Sequence, residues 1–248
     1  MSKVILVTGG SRGIGRSAAR LCGVRGWSVG VNYTGNAKAA AETVTEVEKA
    51  GGRAIAIKGD VASETDVVAM FDATEKAFGP IYGLVNNAGI IAPSMPLVDM
   101  TAERMQRLFA VNILGSYLAA REAARRMSRL RGGKGGVIVN LSSAAARLGS
   151  PNDFVDYAGS KGAIDTFTIG LSKELGPEGI RVNAIRPGLI DTEIHAVAGK
   201  ADRAFTLGKQ MPLGRAGTAD EVGEAIVWLL DDASSYVSGS ILDVAGGR

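Results

Sequence analysis

The 248-residue chain is 46% hydrophobic and 21% charged, carries a net charge of +3, and contains one cysteine and one histidine. Such a composition supports a sizeable core, and a charge this mild, with no block of like charges longer than a pair, argues against nucleic acid or a membrane surface as a partner. Cys22 alone forms no internal disulfide, one histidine leaves no Cys/His cluster for zinc, and there is neither a signal-peptide pattern nor an apolar run near the ~18 residues that span a bilayer, so a cytoplasmic protein without a metal is expected.

Lys3 to Thr8 is a near-continuous apolar run, the pattern of a strand buried on both faces of a parallel sheet. Gly9-Gly10-Ser11-Arg12-Gly13-Ile14-Gly15 follows, and a helix is predicted from Arg16 to Arg25. Strand, glycine-rich loop and helix is the setting in which backbone N–H groups grip phosphates. The spacing is Gly-x-x-x-Gly-x-Gly, and taken alone it also fits a simple strand-to-helix turn. A second strand is predicted over Ser28–Tyr33, then an alanine- and glutamate-rich helix over Ala37–Ala50, stopped by Gly51-Gly52. Arg53–Lys58 reads as a third strand, ending at Gly59-Asp60-Val61. Ser63 is a candidate N-cap, with Asp66 in the first turn of a helix to Phe78. Tyr82–Val85 is a fourth strand, ending in Asn86-Asn87-Ala88-Gly89. A helix from about Thr101 leads into another over Asn112–Arg131, and the glycine-rich 132–136 segment is a surface turn.

Val137–Leu141 is apolar and β-branched, a short buried strand with Ser142 and Ser143 at its end. After a loop with Gly149 and Pro151, a helix carries Tyr157 and Lys161, four apart and so on one face. An ammonium beside a phenol favours the phenolate, and a nearby serine hydroxyl can hold a carbonyl or alcohol oxygen. Together these move a proton on and off oxygen, half of an alcohol–ketone interconversion; hydride, the other half, needs a cofactor. Ile180–Ile185 is a sixth strand, closed by Arg186-Pro187-Gly188. Residues 189–217 lack clear periodicity. Thr218 caps a helix to Leu230, and Ser240–Val244 is the last strand. The alternation predicts one α/β domain over residues 1–248: a doubly wound, mostly parallel sheet of about seven strands with helices on both faces. Ligands in such sheets bind beyond the strands' C-terminal ends, where the Gly9 loop, Asp60, Asn86–Gly89, Ser143 and Pro187-Gly188 all fall.

Thr8-Gly9-Gly10-Ser11-Arg12-Gly13-Ile14-Gly15, Asp60-Val61, Asn86-Asn87-Ala88-Gly89, Asn112, Ser143, Tyr157-x-x-x-Lys161 and Pro187-Gly188-x-Ile190-x-Thr192 occur in that order. With them the whole chain resembles the short-chain dehydrogenase/reductase family, including its sugar dehydrogenases and 3-oxoacyl-carrier-protein reductases. The resemblance implies a Rossmann-type fold and Tyr157 as general acid/base. Lys161 would lower the Tyr157 pKa and hold the nicotinamide ribose. Ser143, in preference to Ser142, would bond the substrate oxygen, and Asn112 would steady a proton-relaying water. On the cofactor, the loop of Gly9, Ser11, Arg12, Gly13, Ile14 and Gly15 would hold the pyrophosphate. Asn87, Ala88 and Gly89 would line the site, Asp60 would bond the adenine amine, and Val61 would touch the ring. Pro187 and Gly188 lead to Ile190 and Thr192, which would position the carboxamide. The Ser143–Tyr157 loop, through Ser150-Pro151-Asn152-Asp153, looks slightly longer than in many members. A homotetramer is implied; Ala119, Ala120, Ala123, Ala163, Phe167 and Leu171 are either monomer core or subunit interface.

Cofactor choice follows from charge. NAD sites usually place an acid roughly 20 residues beyond the loop. No Asp or Glu occurs between Gly15 and Glu42; Asn32, Tyr33 and Thr34 occupy the second strand's end, and Arg12 can pair with a 2′-phosphate. NADP is therefore expected over NAD. A substrate lid is expected over about 189–213, mixing apolar residues with Lys200, Arg203 and Lys209, and compatible with a sugar, a small ketone or a 3-oxoacyl thioester. Two other readings remain at this point. One is a non-catalytic NADP(H)-binding sensor on the same fold. The other is a serine hydrolase using Ser11 in Gly9-x-Ser11-x-Gly13 with His195 and Asp191, disfavoured because that pattern follows the first strand and not a central one.

Overall fold

Side chains alternate along the first strand, β1 (Val4–Val7), so that Ile5 and Val7 enter one apolar layer while Val4 and Leu6 enter another. The same two-sided burial recurs in β2 (Ser28–Tyr33), β4 (Gly83–Asn86) and β5 (Gly136–Leu141). With β3 (Arg53–Lys58), β6 (Ile180–Pro187) and β7 (Ile241–Val244) they form one sheet in the order β3-β2-β1-β4-β5-β6-β7. This computed structural model describes residues 2–193 and 203–248. Every strand pairing is parallel, where the sequence predicted a mostly parallel sheet. Since β1 is third of seven, it is an interior strand, and the objection that Ser11 does not follow a central strand falls away.

Helices cover both faces. On one side α1 (Gly13–Val24), α2 (Ala37–Lys49) and α9 (Ala219–Leu230) bury Ala18, Cys22, Val47, Val222 and Ile226. On the other, α3 (Glu64–Phe78), α5 (Ser116–Met127) and α7 (Val155–Leu175) bury Met70, Phe71, Ala119, Ala123 and Leu175. Among the described residues the remaining helices are α4 (Ala102–Phe109), α6 (Ala145–Leu148) and α8 (Arg203–Gly208). Predicted caps form: Ser63 accepts from Asp66 N, and Thr218 makes a reciprocal capping box with Glu221. No helix among the described residues is long and apolar enough to cross a membrane, and they contain no metal-binding cluster of His, Cys, Asp or Glu.

Three elements differ from expectation. Helix α1 starts at Gly13, inside the glycine loop. The predicted helix over Asn112–Arg131 is instead a π turn (Ala110–Gly115), then α5, then a short 3₁₀ turn (Arg129–Arg131). Asn112, where the predicted helix was to begin, sits inside the π turn. Its Oδ1 accepts from Ile90 N (2.8 Å), and its Nδ2 donates to the Ile90 carbonyl (2.9 Å) and Ser160 Oγ (3.1 Å). Those bonds hold a side chain with 0% exposure against α7, and the wider turn accommodates them. The third difference is α6, whose four residues carry no sequence period.

Order at the sheet's C-terminal edge begins with Thr8. Its fully buried hydroxyl donates to the Val85 carbonyl (3.3 Å) and accepts from Asn87 N and Ala88 N (3.0 Å each), tying the ends of β1 and β4 together. Replacing it with an isosteric hydrocarbon strands the Ala88 donor and leaves Asn87 N with the Val85 carbonyl alone. Thr8→Val is expected to cost about 1–3 kcal/mol, read as a lower urea midpoint at unchanged slope; an unchanged midpoint would show that water satisfies those donors.

Candidate active site

The parallel sheet puts the ends of β1, β4, β5 and β6 side by side, and a cleft of about 1040 Å³, mouth included, opens there. Ser143 leaves β5 and enters from below. Its Oγ accepts from Ala145 N (3.1 Å), and its hydroxyl faces the Tyr157 phenol across the cleft. Tyr157 and Lys161 reach the same cleft from one face of α7. Helix α7 is fixed at its start by a buried ion pair, Arg104 Nε to Asp156 Oδ2 at 2.8 Å.

Lys161 is 5% exposed, and its Nζ donates to the Leu141 carbonyl at the end of β5 (2.7 Å). The ammonium lies 5.7 Å from the centroid of the Tyr157 ring. Burial pushes its pKa down to about 8, opposed by the Asp165 carboxylate one turn along α7. Burial also pushes the Tyr157 phenol up from its ordinary value, with the Ser143 hydrogen bond working the other way. The influence opposing burial at the phenol comes from Ser143, and the lowering expected from Lys161 does not show. Ser142, the competing serine, donates to the Lys161 carbonyl (3.2 Å) and is 3% exposed, so it braces α7.

Around these groups the cleft gathers Ile14, Asn87, Gly89, Pro187, Gly188, Ile190 and Thr192. Gly188 crosses the end of β7 so closely that a Cβ would lie 2.6 Å from Ala245 Cα. A Cβ on Gly15 would strike the Gly9 carbonyl, so the loop and the first turn of α1 need glycine there. Asn87 Nδ2 donates to the Thr8 and Gly9 carbonyls (2.9 and 3.0 Å). Ala88 packs alongside Gly9.

The other predicted residues lie outside the cleft's lining. Asn112 sits behind Lys161, its Oδ1 and the Lys161 Nζ both within 3.5 Å of where a Gly89 Cβ would be. Asn32, 1% exposed, accepts from Gly9 N (3.1 Å) and donates to the Gly59 carbonyl (3.0 Å), holding the loop from beneath. Tyr33 and Thr34 follow at the edge of β2, where Thr34 Oγ1 reaches the Gly59 carbonyl (3.4 Å). Val61 is buried against Gly115. Asp60 accepts from Ala62 N (3.0 Å) and from Arg107 Nη1 (3.1 Å), and each oxygen keeps a second lone pair. Ser11 and Gly13 form the loop before and into α1. Of the hydrolase set, Asp191 is exposed, and His195 lies outside the described residues, as do residues 194–202 of the expected lid. From the rest of that lid, Ile190 bridges to Gly217 and α8 is helical.

A dinucleotide fits this edge. Helix α1 has no acidic residue in its first turn and no side-chain cap, unlike α2, α3, α4 and α9, so its leading N–H groups are open to an anion. The Arg12 side chain is exposed there, with no hydrogen bond or ion pair among the described residues. Lys161 uses one of its three donors on Leu141.

Sequence reasoning missed Asp165 and Arg186. Asp165 Oδ2 accepts from Arg186 Nε and Nη2 (2.9 and 2.7 Å), while its buried Oδ1 has no partner. The four-residue step from Lys161 was the available signal. The groups facing Lys161 are then Tyr157 and Asp165 on α7 and, beyond Asp165, Arg186 on β6 with Asp243 of β7 3.8 Å from it. Removing the Asp165 charge removes the influence that raises the Lys161 pKa. Asp165→Asn should therefore move the Lys161 titration below about 8, followed by the ¹³Cε shift of labelled lysine against pH; an unmoved midpoint would show the two uncoupled.

The chain also has known relatives. A family model described as enoyl-(acyl carrier protein) reductase matches residues 9–248. The uncharacterized oxidoreductase YgfF of Escherichia coli strain K12 is 50% identical over 99% of both chains. 3beta-Hydroxysteroid dehydrogenase 1 of Eggerthella lenta is 40% identical over 99% of this chain and 93% of its own. Among solved structures, a short chain dehydrogenase from Burkholderia cenocepacia in complex with NADP superposes with a TM-score of 0.90 at 34% identity, covering 99% of this chain and 97% of that one. Strand order, glycine loop, the Ser143–Tyr157–Lys161 cluster and these likenesses converge: the chain belongs to the short-chain dehydrogenase/reductase family.

Proposed function

We propose that this chain is an NADP(H)-dependent oxidoreductase interconverting a carbonyl and a secondary alcohol, with Tyr157 as general acid/base. The observation that carries the reading is the meeting of Tyr157, Ser143 and the buried Lys161 ammonium in one cleft, at the strand ends where the glycine loop also lies. Ser143 and Tyr157 would both bond the substrate oxygen. Tyr157 would give its proton as a carbonyl becomes an alcohol and take it back in reverse. Burial alone opposes the phenolate, so Lys161 and the positive charge of an oxidised nicotinamide must offset it. Asn112, braced between Ile90 and Ser160, stands behind Lys161 where a relaying water would sit. NADP(H), when bound, would supply or accept the hydride. Its pyrophosphate would meet the Gly9–Gly15 loop, and segment 187–192 would orient its nicotinamide. Arg12 in the glycine loop, with no acid at the end of β2, favours a 2′-phosphate, in keeping with the NADP complex of the Burkholderia neighbour. A lone buried thiol, Cys22, suits a reducing cytoplasm.

The family implies a homotetramer. Ala119, Ala120 and Ala123 are monomer core, with Phe167 and Leu171 packed against it. The exposed apolar residues Leu114, Tyr117 and Ile169 are left for a partner, with Tyr117 stacked on Phe167 at 3.7 Å. Sedimentation in dilute buffer should give a particle of four 25.6 kDa chains; a monomer would contradict it.

For the chemistry, Tyr157→Phe should leave NADPH binding largely intact and lower kcat by about 10²–10⁴-fold, and the wild type should have the higher kcat/KM with NADPH than with NADH. Near-normal kcat in the variant would overturn the role of Tyr157. A protein that binds NADPH but turns over no carbonyl or alcohol would instead be a sensor.

A further inference from the structure

Beyond the two reacting hydroxyls, the wall of the cleft opposite the glycine loop is mostly carbon. Ile91, Ala145, Leu148, Phe154 and Leu189 line it. Phe154 and Leu189 are each 4% exposed and form a fixed floor, whereas Leu148 is 44% exposed and stands at the lip. The chain holds that lip in a costly conformation: after Gly149, Ser150 and Asn152 adopt φ of 47° and 57°, a region non-glycine residues rarely enter. Met95 N donates to the Asp153 carbonyl (3.1 Å), tying the loop to the Ile91 side of the cleft.

Polar groups lining the cleft are mostly spoken for. Asn87 and Ser142 donate to backbone carbonyls, and Lys161 is turned to the Leu141 carbonyl. Outside the reacting pair, Ser150 and Arg248 supply the polar side chains on this wall among the described residues, and the Arg248 carbonyl is itself bound by Arg147 Nη2 (2.8 Å). A sugar carries a hydroxyl on nearly every carbon, and each one withdrawn from water must find a partner. Among the described residues, most of this wall's side chains are carbon and cannot serve as that partner. An alicyclic or aryl ring asks only for apolar contact, which an exposed leucine above a buried phenylalanine provides.

Resting on the carbonyl–alcohol reading above, we infer that the substrate is an alicyclic or aryl ketone, or the matching secondary alcohol, whose ring lies on Ile91, Leu148, Phe154 and Leu189. The test is a panel assayed with the wild-type enzyme and NADPH: cyclohexanone, acetophenone, butanone, dihydroxyacetone and an acetoacetyl thioester, with cyclohexanol and glucose assayed in reverse with NADP. Ring ketones should exceed dihydroxyacetone in kcat/KM by about 100-fold, since each well-placed apolar group contributes about tenfold or more. Leu148→Asn, checked for folding by circular dichroism, should lower the ratio of acetophenone to butanone by about tenfold on the same scale. A preference for glucose, dihydroxyacetone or the thioester that Tyr157→Phe abolishes would overturn this inference and leave the proposed chemistry standing. So would an unchanged ratio in Leu148→Asn. Turnover that survives Tyr157→Phe, or no turnover in any arm, would overturn both.

Discussion

The site depends on a buried ammonium. Removing a lysine charge from water costs several kcal/mol unless other groups replace the lost hydration. Lys161 finds replacements in the Leu141 carbonyl, the Tyr157 ring face and the nearby Asp165 carboxylate. Each sets a condition on the fold. The Leu141 carbonyl must stand free at the end of β5, the turn after it carries Ser143, and α7 must lie across that end with Tyr157 one turn before Lys161 and Asp165 one turn after. Once the ammonium is housed, phenol, serine and cation have little freedom to be elsewhere.

Polar groups buried at the sheet's edge do the housing. Thr8 joins β1 to β4, Asn32 holds the glycine loop over β2 and β3, and Asn86 donates to Ser116 and to Asn140, which in turn donates to Thr168 of α7. These links are fully paired, and pairing is what makes buried polar groups tolerable and directional. They convert a parallel sheet, held chiefly by apolar burial, into a platform whose loops are fixed relative to each other.

Much of this was legible in the sequence because it rests on short-range signals. Apolar runs gave the buried strands, glycines marked the loop over the first helix, and the four-residue step put Tyr157 and Lys161 on one face. Legibility fails where the determinant is distant in sequence. Asn112 reads as the start of a helix until Ile90 and Ser160 are brought against it. Asn32 reads as a ligand contact at a strand end, and only the positions of Gly9 and Gly59 reveal its bracing bonds. The Asp165–Arg186 pair spans two elements that no local pattern joins. Whether an alanine on α5 faces the core or a partner depends on the helix's rotation, which the π turn sets.

That turn also makes chain length matter in a way composition does not. One residue more than an α-helix would use lies between Ala110 and Gly115, and each residue rotates a helix by about 100°. It therefore acts as a phase offset between two halves of a nearly continuous rod, letting α4 and α5 present differently timed faces to the same core. The turn holds the slack of one residue: a deletion there can be taken up by tightening to an ordinary α-helix, whereas a deletion within α5 has no such slack and would rotate the alanines that follow it away from the core. The segment can spare a residue, but not the side chain of Asn112.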